Sequence, residues 1–469
     1  MQKEGFVMVK KRAKTKVNKA RKQPQNPEPQ HIQPQIPVII MGAAGRDYHN
    51  FLTTFKNNHL YKVIAFTAAQ IPGIENRAFP KELAGPNYHE DIPVFPETRL
   101  PELIKEHNIQ EVYLSYSDLS FQEVMEKASK ILAAGAKFCL LGLSTMLRTE
   151  APVVAVTAVR TGAGKSQTSR KVASILQDLG YKVVAIRHPM PYGNLIQQEV
   201  QRFASAKDLQ HAHVTIEERE EYEPWIRMSV PVYAGVDYKK ILQEAEQEAD
   251  LIIWDGGNND FSFYKPDLHI VVVDPLRPGH EISYYPGFIN LLTADIVVIN
   301  KVTNAPRKNI QQVIKNIRKW NPRARIIKAA SQVSVEHPES IAGKNVLVVE
   351  DGPTLTHGGL SHGAGTVAAL KHKGRIIDAR QFAVGSIKDT YAKYPHLGRE
   401  LPAMGYSKQQ VKELQDTLNN AKCDLIIDGS PVNLQHIIRV NKPILNVKYE
   451  LEELGKPTLA QLITKHFKG

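Results

Sequence analysis

Pro152 to Ser166 reads PVVAVTAVRTGAGKS. A β-branched run from Val153 to Val159 feeds a turn of Gly162, Ala163 and Gly164 that ends in Lys165-Ser166, and Gln167 to Leu179, closed by Gly180, has the pattern of the helix such a turn opens. The order is strand, phosphate-binding loop, helix. Gly162 and Gly164 let backbone N–H groups converge on phosphate oxygens with no Cβ in the way, Lys165 brings a charge to the β- and γ-phosphates, and Ser166 offers a hydroxyl to Mg²⁺. Val159 stands where the full G-x-x-x-x-G-K-[ST] pattern has its first glycine. A Gly-Lys-Ser arising by chance would come without the strand and the helix. The nucleotide contacts expected are therefore Thr161, Gly162, Ala163, Gly164, Lys165, Ser166 and Gln167.

At 469 residues the chain has room for about three domains. Hydrophobic residues make up 42% and charged residues 23%, with neither a membrane-span run nor a signal-peptide pattern. Cys139 and Cys423 lie far apart in apolar surroundings, which predicts free buried thiols in a reducing, cytoplasmic setting. The net charge of +12 is unevenly placed: residues 1–22 hold nine Lys or Arg against Glu4 alone. Gln23 to Pro37 is a Gln- and Pro-rich stretch that cannot form a core. The basic stretch reads as a solvated tail, and neither nucleic acid nor membrane is expected as a partner.

Outward from the loop, the fold class reads as α/β: a disordered tail over 1–36, a Rossmann-like domain over 37–148, a phosphate-loop NTPase domain over 149–335 and a C-terminal α/β domain over 336–469. The first domain opens with the buried strand Val38-Ile39-Ile40-Met41 and the turn Gly42-Ala43-Ala44-Gly45, which puts Arg46 and His49 at the mouth where open α/β sheets bind ligands. Anion binding and plain packing are both open there. In the second domain, the strand Lys182 to Arg187 delivers Arg187-His188 onto a Pro-rich loop at the carboxyl edge of the sheet, a place for substrate. The acidic run Glu217 to Glu223 reads as a solvated helix face, one or two of whose carboxylates could reach a metal or a basic loop.

Leu251-Ile252-Ile253-Trp254-Asp255 is an apolar strand ending in a carboxylate, which phosphate-loop nucleotidases need beside Mg²⁺. Ser166 and Asp255 are thus the expected metal ligands, and Lys165, Asp255 and Arg187 the expected catalytic residues. Arg277 and His280 sit in a further charged loop after the strand Leu268 to Val273. Asn300-Lys301-Val302-Thr303 looks like the base-reading Asn-Lys-x-Asp of GTPases with threonine in place of the aspartate that pairs with guanine, so ATP is as acceptable as GTP. Glu350 to Gly365, crowded with Gly, Thr and His, suggests a backbone-lined anion pocket that includes His357. His357 and His362 are spaced too irregularly for zinc. Cys423 to Pro431 echoes Ala249 to Gly257, without a second Gly-Lys-Ser.

Met41 to Asn50, the variant phosphate loop, Arg187 to Gly193, Asp255 to Asp260, Asp274 to Glu281, Asn300 to Val302 and Glu350 to Gly359 together resemble the family of phosphate-loop GTPases labelled cyclic 2,3-diphosphoglycerate synthetases. The resemblance runs from Val38 to the end. It implies ATP-driven closure of an intramolecular phosphoanhydride in 2,3-diphosphoglycerate, with ADP and phosphate released. The cofactors expected are Mg²⁺ and ATP or GTP, and the acceptor a phosphorylated small-molecule acid held by Arg46, His49, Arg187, His188, Arg277, His280 and His357, in a homo-oligomer. Two other classes stay open: a regulatory or metallochaperone-like GTPase with no small-molecule product, and a non-catalytic nucleotide-binding protein.

Overall fold

A computed structural model describes residues 35–43, 45–69, 77–188, 193–257, 259–356, 360–403, 407–431 and 434–468. The strands, in chain order, begin with β1 (Ile36–Met41), β2 (Tyr61–Ala68), β3 (Ala78–Phe79), β4 (Ile92–Pro96), β5 (Glu111–Leu114), β6 (Leu119–Ser120) and β7 (Lys137–Leu140). The middle of the chain supplies β8 (Val153–Ala158), β9 (Val183–Arg187), β10 (Val200–Phe203), β11 (Val232–Gly235), β12 (Leu251–Asp255), β13 (Leu268–Val273), β14 (Tyr284–Tyr285), β15 (Ile296–Ile299) and β16 (Arg325–Val335). The last part adds β17 (Asn345–Glu350), β18 (Arg375–Ile376), β19 (Leu401–Pro402), β20 (Leu425–Gly429) and β21 (Ile444–Glu453).

The first sheet has the order β3-β4-β2-β1-β5-β7 and is parallel except at the β3 edge. Val38, Ile39, Ile40 and Met41 are all fully buried, because a parallel sheet covered by helices on both faces leaves its central strand no solvent side. β1 pairs in parallel with β2 on one side and β5 on the other, so the order in which successive strands are added reverses there and a crevice opens at the carboxyl end.

The second sheet runs β10-β11-β9-β12-β8-β13-β15-β16-β21-β20-β17-β18, with β19 also on β17. Sequence patterning suggested separate nucleotide and C-terminal domains, and the sheet runs unbroken between them. The cause is β16, whose first half lies parallel to β15 and whose second half lies antiparallel to β21. The helix Leu459–Lys468 then returns to the nucleotide domain, setting Phe467 edge to face with Tyr181 and donating from Lys468 Nζ to the Leu179 carbonyl.

The two sheets are joined by the short β6-β14 ladder and by the phosphate-loop face of the second sheet, which meets the carboxyl edge of the first. Both cysteines are free and part-buried. No helix among the described residues is long and apolar enough to cross a membrane.

Candidate functional site

β8 is central, with β12 and β13 parallel on either side, and every residue of Val153–Ala158 is buried. Its end runs into the loop, and the 14-residue helix Lys165–Asp178 starts at once. Gly164 caps that helix at φ +107°, a left-handed conformation that side chains rarely adopt. A Cβ there would also stand 2.1 Å from Asn300 Nδ2. The cradle is therefore shaped for glycine and for an anion at the helix start.

The residues expected to touch the base brace this cradle from behind. Asn300 Nδ2 donates to the Ala163 carbonyl at 2.9 Å, and Lys301 Nζ to the Gly162 carbonyl at 2.6 Å. Thr303 lies further out, donating to Asn304 Oδ1 at 2.9 Å. Asn259 Nδ2 donates to Thr161 Oγ1, Arg277 Nη2 to the Thr161 carbonyl, and Ser331 Oγ to Gln167 Oε1. Ser166 sits in the first turn of the helix, directly after Lys165.

Sheet register puts Asp255 directly beside Arg187 on β9 and beside Val156 on β8. Lys165 Nζ and Ser169 Oγ each lie 2.7 Å from Asp255 Oδ1, while Arg187 Nη1 is 2.6 Å from Oδ2. The Trp225 indole N–H also donates to Oδ2 at 3.3 Å. Burial alone would push the Asp255 carboxyl up, yet the Arg187 and Lys165 charges outweigh it and hold the group well below the usual carboxylate range. Burial lowers Lys165, with Asp255 acting in the other direction. The acidic run lies on the helix Ile216–Arg227 and is less solvated than its composition suggests. Glu221 Oε2 is 2.6 Å from Arg187 Nη2, and Glu218 closes a capping box with Thr215.

The remaining basic residues expected to hold an anionic acceptor are largely committed to acids. Arg46 Nε donates to Asp260 Oδ1 at 2.6 Å, and His188 Nε2 lies 2.8 Å from Asp260 Oδ2. Arg277 pairs with Asp274 at 2.9 Å. His280 Nδ1 sits 2.6 Å from Arg160 Nη1, and burial together with the Arg160 charge lowers it to about 4. His49 stacks on Phe263 with ring centroids 4.0 Å apart and bonds the Thr145 carbonyl, and burial lowers it to about 3. That neutral ring packs an interface and has no charge to give an anion. His357 and the segment 189–192 lie outside the described residues.

Several site residues had no assignment from sequence. Ser169 was findable, because it lies one helical turn beyond Lys165 on the same face. Asp118 was not: it comes from the first sheet's domain and accepts from Arg160 Nε at 2.6 Å across the interface. Thr354 of the C-terminal part closes the other side, 3.1 Å from where a Cβ on Gly162 would stand. All three parts of the chain thus meet at the loop.

Strand, glycine cradle, helix-borne lysine and a buried aspartate on the adjoining strand define a phosphate-loop nucleotide-binding protein. No protein-family model matches the sequence. The chain is 59% identical over 434 residues to the arginine synthetase ArcE of Thermococcus kodakarensis, covering 92% of this chain and 97% of that protein, and it belongs to that family. Among solved structures it is similar to LpxK from Aquifex aeolicus in complex with ATP, at 12% identity and a TM-score of 0.42 over 78% of this chain and 99% of that one. The hydrogenase maturation factor HypB from Archaeoglobus fulgidus is similar at 17% identity and a TM-score of 0.24, over 45% of this chain and 89% of that one.

Proposed function

We propose that this protein is a nucleotide-dependent synthetase that forms arginine, as the name of its Thermococcus relative says of that protein. The observation that carries this reading is 59% identity along 92% of the chain. The chemistry suits a phosphate loop. A guanidino carbon is reached from a ureido carbon by exchanging oxygen for nitrogen, and that oxygen leaves only once activated. Transfer of the γ-phosphoryl group to the ureido oxygen forms an O–P bond and releases the nucleoside diphosphate. The lone pair of ammonia then attacks the carbon, the C–O bond breaks with loss of phosphate, and the nitrogen's surplus proton passes to solvent.

In this reading the loop amides of Gly162 to Ser166 and Lys165 Nζ hold the β- and γ-phosphates. Asp255 keeps Lys165 and Arg187 charged and aligned. Mg²⁺ held by Ser166 and the phosphates would neutralise the transferring group, with the Asp255 carboxylate, whose oxygens accept from Lys165, Ser169, Arg187 and Trp225, attracting it by charge. ATP is the proposed nucleotide, since Thr303 lacks a carboxylate for guanine.

The motifs also admit the cyclisation of 2,3-diphosphoglycerate by the same γ-phosphoryl activation. Charge balance favours the arginine reading, because Arg187 and Arg277 are each spent on a buried carboxylate and are poorly placed to offset a substrate with several negative charges. The test incubates the full chain with Mg²⁺ and ATP or GTP, adding either a ureido amino acid with ammonium or 2,3-diphosphoglycerate. Arginine and phosphate should appear in equal amounts only with the first pair, and Lys165→Ala should abolish both. Phosphate release driven by 2,3-diphosphoglycerate would install the cyclisation. Slow turnover without acceptor would indicate a switch, and no turnover a binding protein.

A further inference from the structure

The carboxyl edge of the first sheet carries buried polar atoms that the fold leaves without well-aligned partners. Thr67, next to last in β2, is fully buried, and its Oγ1 has no well-aligned hydrogen bond, the Tyr116 hydroxyl being its polar neighbour. Asn50, 1% exposed, donates from Nδ2 to Ser115 Oγ at 2.9 Å, but its Oδ1 accepts nothing. Arg46, 2% exposed, uses Nε on Asp260 and Nη2 on the Phe261 carbonyl and leaves Nη1 bare. Asp118 Oδ2 also lacks a well-aligned partner, although Oδ1 accepts from Arg160 and the Thr161 side chain neighbours the carboxyl.

The elements that carry these atoms meet at one edge of the sheet. Arg46 and Asn50 are four apart on the short helix after β1 and so share a face. Ser115, which holds Asn50, follows β5 directly, and its N–H donates to the Met41 carbonyl at the tip of β1. The Thr67 carbonyl accepts from Gly42 N at 2.9 Å and from Tyr116 Oη at 3.3 Å. The set therefore surrounds the crevice where β1 separates β2 from β5, the position at which open α/β sheets take ligands. Across the interface lies the phosphate loop, because Asp118 holds Arg160, the residue before Thr161.

Leaving several buried polar atoms unpartnered costs about 1–3 kcal/mol each, a cost a fold carries where a ligand repays it. The types available select the ligand. Arg46 Nη1 is a cationic donor suited to a carboxylate, while Asn50 Oδ1 and Asp118 Oδ2 accept and Thr67 Oγ1 can do either. Phosphate would gain Arg46 but meet two acceptor oxygens that repel it. The carboxylate and ammonium of a free α-amino acid offer one anion and three N–H donors within a few ångströms.

We propose that the crevice at Arg46, Asn50, Thr67 and Asp118 binds the carboxylate and ammonium of the amino-acid substrate, setting its side chain toward the phosphate loop. Arg46 and the Thr67 hydroxyl take the carboxylate, and Asn50 and Asp118 take the ammonium. The assignment deepens the arginine-forming reading and rests on it for which amino acid is bound.

Thr67→Val tests it, since the substitution keeps the β-branched shape and removes only the buried hydroxyl. Calorimetry on the full chain would titrate L-arginine, agmatine (arginine without its carboxylate) and ATP into wild type and variant. We expect L-arginine to bind wild type, agmatine to bind at least tenfold more weakly, and Thr67→Val to weaken L-arginine about tenfold. ATP affinity should stay within twofold and the unfolding midpoint should not fall. An L-arginine affinity within twofold of wild type in Thr67→Val would overturn the proposal, because that is what a crevice holding only a buried water would give. So would agmatine binding as well as L-arginine, or wild type failing to bind L-arginine. Arginine formation with an unchanged amino-acid KM in Thr67→Val would sink the crevice assignment alone. Thr67-dependent binding of L-arginine in a chain that forms no arginine would sink only the synthetase reading.

Discussion

Replacing Arg187 by methionine removes the guanidinium and keeps most of the apolar stem, which isolates the charge balance at Asp255 from packing. Arg187 is 2% exposed; its Nη1 lies 2.6 Å from Asp255 Oδ2 and its Nη2 2.6 Å from Glu221 Oε2. In the variant, Asp255 keeps Lys165 and Ser169 on Oδ1 at 2.7 Å and the Trp225 indole on Oδ2 at 3.3 Å. Glu221, 32% exposed, can rehydrate. Removing one partner of a buried pair costs about 3–5 kcal/mol when the other charge is left alone, so with Lys165 still in place the expected loss is about 2–3 kcal/mol. The pH dependence follows from the depressed Asp255 carboxyl. Its stabilising contribution is fully present above the ordinary carboxylate value of about 4 and is lost as pH falls toward the lower folded-state value. Without Arg187 that value rises, so acid unfolding should begin at a higher pH. Urea unfolding of both proteins at pH 7, with acid titrations alongside, measures each quantity. A loss below about 0.5 kcal/mol at pH 7, or coincident acid transitions, would refute the claim that Arg187 holds the Asp255 charge.

Three further outcomes are expected. Gly287→Ala would put a Cβ 2.4 Å from the Val159 carbonyl oxygen and 2.8 Å from its Cα, both backbone atoms; thermal unfolding should show a loss of about 1–3 kcal/mol and nucleotide titration a weaker affinity, as the strand entering the loop shifts. Burial pushes Glu350 up to about 7 despite N–H groups donated by Gly363, Gly365 and Thr366. A carboxyl raised in this way takes up a proton on folding, so its contribution is present at low pH and is lost as pH rises from its ordinary 4.5 through about 7; Glu350→Gln should flatten the urea midpoint across that window. Thr303→Asp should move nucleotide preference toward GTP in competition binding, and no change would separate Thr303 from base selection.

Much of the site was legible because it is local. Strand, glycine turn and helix follow one another within Val153–Asp178, and glycine spacing together with Lys165 encodes the phosphate cradle through backbone geometry that needs no distant partner. Asp255 was equally readable, since an apolar strand ending in a carboxylate keeps its direction whatever lies beside it. The alternation of strands and helices likewise determined an α/β class with parallel sheets.

Tertiary structure decided where the charges end. Arg187, Arg46 and Arg277 look in the sequence like open anion contacts, and in the fold each neutralises an acid that burial would otherwise make costly. Which acid serves which arginine depends on register and on domain contact: β9 and β12 align Arg187 with Asp255, while Arg46 and Asp260 are 214 residues apart and meet only across an interface. The Thr67 and Asn50 atoms without well-aligned partners are invisible in sequence for the same reason, since a hydrogen bond that is not made shows only when every neighbour has been placed. The single long sheet is another tertiary outcome, because β16 presents one pattern of residues and pairs along it with two strands of opposite direction. Local sequence thus determined the chemistry of the phosphate loop, and long-range pairing of buried charges and strands determined which groups remain to receive a substrate.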